Sequence, residues 1–162
     1  MKHILASLLL ATTLSACGLQ PLYSGGSKGA VASTLGAITV DPIEGKNGWL
    51  MRNALNDRMN AREGSSPQFR LVVALDDRIE GFGVRADDTV TRERRTLRAR
   101  YQLIAIATGE TVLDATAGSD AGIDVVSSEY ATIAGENSAL ENLTQKVADQ
   151  IATRLSLYAR GE

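Results

Sequence analysis

Cysteine, histidine and the aromatic residues are nearly missing from this 162-residue chain, which has one Cys, one His, one Trp, two Phe and four Tyr. A single cysteine allows no disulfide within the chain, so stability in an oxidising compartment must come from packing alone. So few aromatics do not furnish the stacking walls of a sugar-binding cleft. Seventeen basic side chains against 19 acidic ones give no cationic excess, which speaks against a nucleic-acid partner. No apolar run reaches the roughly 20 residues that a membrane-crossing helix needs.

What is present begins with Met1-Lys2-His3, a short cationic start. An apolar stretch from Ile4 to Leu14 follows, then the small pair Ser15-Ala16 and the lone Cys17. A basic n-region, a short h-region and small residues ahead of a cut are the plan of a secretory signal peptide. Leu14-Ser15-Ala16-Cys17 resembles a bacterial lipobox, which implies that residues 1–16 are removed and that Cys17 becomes a lipidated N-terminus. Each acyl CH₂ buried in a bilayer contributes about 0.8 kcal/mol, and several chains on one residue make a durable anchor. Gly18, rather than Asp, follows the cysteine, which resembles an outer-membrane address. Cleavage also removes His3, the only histidine. The mature chain then has neither histidine nor free thiol, which excludes Ser-His-Asp and Cys-His catalysis and nearly every zinc site. No metal and no cofactor is expected beyond the covalent lipid on Cys17, and the expected role is non-enzymatic.

Residues 17–34, with the Gly/Ser-rich SGGSKGAVAST at 24–34, read as a lipidated N-terminus and flexible tether. A single domain is expected over 35–162. Ala37–Asp41 alternates and stops at Pro42, as a short strand does. Asn47 is a candidate N-cap for a helix over Trp49–Arg62, where Met51, Leu55 and Met59 recur every four residues. Phe69, Leu71, Val73 and Leu75 alternate as a second strand, and Gly81-Phe82-Gly83 with Asp87-Asp88 reads as a long turn. A long strand is expected over Thr89–Ala107, a tight turn at Thr108-Gly109-Glu110, and a returning strand over Thr111–Ala117. Leu140, Leu143, Val147, Ile151, Leu155 and Tyr158 form the stripe of a last helix, with Ser127 or Ser128 as its cap. The order β-α-β-β-β-α predicts an α+β two-layer sandwich, its two helices on one face of a four-stranded, mostly antiparallel sheet. The first strand, joined through a helical crossover, is expected to pair in parallel.

Five arginines fall within nine residues at positions 92, 94, 95, 98 and 100, with Arg85 just before them. A period of two puts Arg92, Arg94, Arg98 and Arg100 on one strand face, opposite Leu97, Ala99 and Tyr101. Guanidinium groups grip phosphate by paired donors, and the phosphorylated ligand at an outer membrane is lipopolysaccharide. The competing reading is a solvated face whose charges deter edge aggregation, with acids such as Asp76 and Glu93 as partners. Ile104 and Ile106 share the wet register, and with Val72 they are candidate partner contacts on a face that a second protein covers.

CGLQPLY after the lipobox, NGWLMRNALNDRM, RARYQL with IATGETVL, SSEYATIAGE and the terminal IATRLSLY occur in that order across nearly the whole mature chain. Together they resemble the LptE family of lipopolysaccharide-assembly lipoproteins, in its alphaproteobacterial form. The resemblance implies an α+β sandwich anchored by lipid in the outer membrane and facing the periplasm. It also implies an LptD-type β-barrel partner, which the protein helps assemble and plugs, and delivery of lipopolysaccharide, which some members bind directly. The candidate contacts, Arg85, Arg92, Arg94, Arg98 and Arg100, come from the charge pattern of the strand and not from the resemblance. The alternative is an auxiliary lipoprotein of an ABC-type lipid transporter. Replacing Cys17 by Ser is expected to abolish incorporation of labelled palmitate and to leave the precursor uncleaved. Labelling or cleavage that persists in the variant would return Cys17 to an ordinary packing role.

Overall fold

The computed structural model describes residues 29–59, 66–84 and 90–161. Cys17, the signal segment, most of the expected tether, and Arg85 therefore lie outside the described residues. The elements run α1 (Ala30–Leu35), β1 (Ile38–Val40), α2 (Gly45–Met59), β2 (Phe69–Val84), β3 (Val90–Ala105), β4 (Thr111–Asp124) and α3 (Glu129–Tyr158).

The sheet has the order β1-β2-β3-β4, with β1 parallel to β2 and the other pairs antiparallel. Leu71 and Val73 on β2 and Leu97, Ala99, Tyr101 and Leu103 on β3 turn to one face, where they are buried. Met51, Leu55 and Met59 of α2 and Leu140, Leu143, Val147, Ile151 and Leu155 of α3 close over them in one apolar cluster. Each such side chain contributes about 1.5–3 kcal/mol on full burial. The α+β sandwich expected from the alternation and the helical stripes is the observed fold.

Several boundaries differ from expectation. The stretch read as tether already holds α1, whose Val31 and Leu35, one turn apart, are buried in the core. Packing, not propensity, makes so short a helix. Helix α2 starts at Gly45, four residues early, so Asn47 is not its N-cap and instead donates from Nδ2 to the Asp77 carboxylate. Gly81-Phe82-Gly83 is not a turn but the end of β2, held by pairing with Thr91–Glu93 of the neighbouring strand. Strand β4 likewise runs past Ala117 to Asp124. The β3–β4 hairpin turns where expected, with Gly109 at φ +73°, a conformation that costs residues with a Cβ. Ser128 is the N-cap residue of α3, but its side chain makes no capping bond. At 30 residues α3 is long, yet no helix among the described residues is long and apolar enough to cross a membrane.

A charged pair interrupts the core face. Arg95 shares its register with Leu97, so its side chain points inward and is only 8% exposed. It donates from Nε and Nη2 to both Asp77 oxygens, at 2.8 and 2.6 Å, and from Nη1 to the Glu136 carbonyl of α3 at 2.8 Å. With Asn47 on the same carboxylate, this cluster ties β2, β3, α2 and α3 together. Lys46 to Asn137 at 2.8 Å, and Arg58 to Asp149 at 2.6 Å, fasten α2 alongside α3.

Breaking a buried ion pair by removing one partner strands the other charge. Asp77→Ala is therefore expected to lower unfolding stability by about 3–5 kcal/mol in urea titrations. Pairing it with Arg95→Met is expected to recover much of that loss. A double variant as unstable as the single one would show that the cluster acts by something other than charge pairing.

Candidate functional site

With α2 and α3 on the inner face, the outer face of the sheet has no covering layer among the described residues. Positions of even number on β2, β3 and β4 project there, and the register lays them out in rows. Val72, Gln102 and Asp114 make one row, followed by Ala74, Arg100 and Thr116, then Asp76, Arg98 and Gly118. Arg78, Thr96 and Asp120 come next, then Glu80, Arg94 and Gly122, and last Phe82, Arg92 and Asp124. The structure thus brings Arg92, Arg94, Arg98 and Arg100 onto one exposed face, as the period of two predicts.

The four arginines have different surroundings. Arg100 donates to both oxygens of Asp114, at 3.3 and 2.9 Å. Arg92 donates to Asp124 at 3.0 Å. The Arg94 guanidinium lies over the Phe82 ring, 5.2 Å from its centre, so its charge rests on a π-face. Arg98 has no ion pair or hydrogen bond among the described residues, and its row neighbour Asp76 is engaged by Arg78 at 2.9 Å. The acids on this face thus balance most of its cations, as the solvated-face reading requires. Among the described residues they leave Arg94 and Arg98 without an ion pair, and of these two only Arg98 also lacks an aromatic ring beneath it.

Gly118 is why Arg98 fits where it does. A Cβ at that position would stand 3.2 Å from Arg98 Cγ and 3.3 Å from its Nη1. The guanidinium lies over the bare backbone of β4 at the edge of an open depression of about 370 Å³. Ala74, Asp76, Arg100 and Thr116 also line it, so two guanidinium groups border a shallow floor of small side chains. An anion seated there would meet donors on two sides.

The partner-contact candidates collect at the hairpin end of the same face. Ile106 is 48% exposed, while Ile104 and Val72 are half-buried. Ile104 pairs with Arg70 and Val72 with Gln102, so the two apolar side chains are diagonal neighbours across β2 and β3. The run of arginines in the sequence hides the inward member, Arg95. Its odd register, shared with Leu97 and with Asp77 diagonally across on β2, is the signal that separates it from the patch.

Hydrogen bonds from Arg100 and Gln102 hold the Asp114 carboxyl below its ordinary range, and Asp114 in turn raises the Arg100 guanidinium. A depressed carboxyl pKa stabilises the fold above the unfolded-state value, and that contribution is lost as pH falls through the folded value. Carbon-13 NMR titration is expected to place the Asp114 pKa higher in Arg100→Ala than in the native chain. An unchanged value would show that the ion pair is absent in solution.

A family model described as LptE, Lipopolysaccharide-assembly, matches residues 35–155. Protein RP188 of Rickettsia prowazekii (strain Madrid E), itself uncharacterised, is 25% identical over 156 residues, 96% of this chain and 97% of its own length. Among solved structures, a chain assigned as a lipoprotein from Caulobacter crescentus CB15 superposes with a TM-score of 0.68 at 25% identity. The match covers 82% of this chain and 97% of that one. Rare lipoprotein B of Shewanella oneidensis shares the fold at a TM-score of 0.60 and 8% identity, over 76% of this chain and 95% of its own.

Proposed function

This chain belongs to the LptE family of lipopolysaccharide-assembly proteins, and from that premise we propose that it is a non-enzymatic lipoprotein of the outer membrane. In this reading Cys17 carries the lipid anchor and the domain faces the periplasm. It assists assembly of an LptD-type β-barrel, occupies the barrel's lumen, and helps pass lipopolysaccharide to the outer leaflet. The observation that carries the reading is the uncovered sheet face with Arg98 unpartnered beside Arg100. Val72, Ile104 and Ile106 are the proposed contacts with the barrel, because they are the apolar side chains of that face at the hairpin end.

The sheet supports direct contact with lipopolysaccharide by a division of labour. Arg98 offers a guanidinium whose donors are not engaged by protein. Arg100 and Arg92 already share their charge with a carboxylate, which a phosphate would have to compete with, and Arg94 offers its charge over Phe82. A phosphate that replaces water on Arg98 has no competing ion pair to break, so Arg98 is the leading contact of the set. Arg85 stays in the proposal as the arginine nearest in sequence to this group.

Binding of purified lipopolysaccharide to the Arg98→Glu chain is expected to weaken tenfold or more, in line with about 1.5–3 kcal/mol for a charge-assisted hydrogen bond. Arg92→Glu is expected to cost less. Equal affinity in both variants and the native chain would return these arginines to a solvated surface. For the wider role, the chain is expected to copurify with an LptD-type barrel, and surface lipopolysaccharide is expected to fall on its depletion. Copurification with an ABC-type transporter in place of a barrel would overturn the reading.

A further inference from the structure

Helix α3 is twice as long as the helix beside it. It has 30 residues against 15 in α2, roughly 45 and 22 Å of helix. The Lys46 ammonium donates to Asn137 Oδ1 at 2.8 Å, so the first turn of α2 lies level with the ninth residue of α3. Residues 129–136 of α3 therefore run on past α2, roughly 12 Å of helix without a companion among the described residues. The chain entering α2 does not fill this lane. Its Ile43 carbonyl is seated against Gly48, where a Cβ would stand 2.4 Å from the oxygen.

The open lane is an apolar groove. Tyr130 and Ile133 precede Asn137 by seven and four residues, so the three share the stripe of α3 that faces α2. Past the end of α2 this stripe is bare, with Tyr130 88% and Ile133 47% exposed. Ile79, in the inward register of Asp77, makes the floor and is 41% exposed. The next inward position on β2 is Gly81, paired with Glu93 of β3 and without a side chain to close the floor. A glycine inside a strand often marks a place where another backbone approaches closely.

Glu93 gives the groove its sign. Its Oε2 is shut off from water and has no hydrogen-bond partner among the described residues, which is rare for a buried polar atom and asks for a reason. The cations nearby are engaged elsewhere, Arg95 by Asp77 and the Glu136 carbonyl, Lys46 by Asn137. The two free turns of α3 add only acids, Glu129 and Glu136, neither in an ion pair among the described residues. An apolar lane beside acids without a counter-charge suits one short segment that brings both an apolar side chain and a cation.

We propose that this groove docks a segment of the partner barrel that projects into the lumen and carries a Lys or Arg beside an apolar residue. The proposal rests on the reading of the chain as the plug of an LptD-type barrel, and adds the place and the chemistry of one contact. The apolar side chain lies between Ile79 and Ile133. The cation reaches Glu93, whose carboxylate turns about its last side-chain bond to receive it. A barrel wall is concave towards its plug and does not enter a groove. A projecting segment does, and about four extended residues span the lane.

Photocrosslinking in the outer membrane tests this. The full chain with p-benzoylphenylalanine in place of Ile79 or Ile133, produced together with the LptD-type barrel of the same cell, is expected to form an adduct with that barrel. Mass spectrometry is expected to map the adduct to an inter-strand loop, next to a Lys or Arg. Glu93→Gln keeps the shape and removes the charge, and is expected to lower the adduct yield about fivefold or more. Copurification with the barrel shows that each variant is folded. In chains that copurify, no adduct, an adduct on a barrel strand or on another protein, or a yield unchanged by Glu93→Gln overturns the proposal. A native chain that does not copurify overturns the plug reading itself, and this contact with it.

Discussion

The alternation of side chains along β3 is the constraint on which the other layers depend. One strand supplies Leu97, Ala99, Tyr101 and Leu103 to the core and Arg92, Arg94, Arg98 and Arg100 to the outer face. A shift of one residue in its pairing would exchange these sets, burying guanidinium groups and exposing the core. The neighbours enforce the register from both sides. Leu71 and Val73 of β2 meet Leu103 and Tyr101 on the inner face, while Asp114 and Asp124 wait on the outer face for Arg100 and Arg92. Packing and charge therefore choose the same alignment, which is the consistency expected of a sequence that specifies one fold.

The inward Arg95 works against simple apolar packing, and its surroundings show how the chain accommodates it. Two oxygens of Asp77 and a helix carbonyl give each of its three nitrogens a partner. Apolar residues in place of both Arg95 and Asp77 would pack as well or better at that point. What the ion pair adds is direction, because a forked donor between a carboxylate and one particular carbonyl admits few alternative placements of α3 on the sheet. The two helices gain a fixed lateral position that interchangeable leucines do not define so narrowly.

Most of the architecture was legible because it rests on periodicity. The stripe from Leu140 to Leu155 and the alternation from Phe69 to Leu75 carry their burial in their spacing. What stayed hidden lacks that signal. Gly81-Phe82-Gly83 has turn composition and becomes strand only because Arg92 and its neighbours pair with it. The second half of β4, GSDAGID, is poor in strand formers, yet pairing with β3 and the Gln150 amide, which meets both backbone groups of Gly118, keep it extended. Helix α1 is too short to show a period. Within the candidate site the arginines were visible and their face was predictable. Which of them are neutralised was not, because Asp114 and Asp124 lie 14 and 32 residues away along the chain from Arg100 and Arg92.

Helix α3 follows all four strands in the chain, yet it supplies Leu140 through Leu155 to the middle of the core. The hairpins of β2, β3 and β4 join segments near in sequence and need little loop closure to form. During synthesis from the N-terminus, α2 is made before them and covers part of their apolar face, but the part that α3 covers stays wet until that helix arrives. Only when the Tyr158 ring meets Phe69 edge-on, 6.2 Å from centre to centre, does the end of the chain touch the start of β2. The order of manufacture thus runs opposite to the order of need, and a nascent chain of this design spends its early life dependent on whatever shields it.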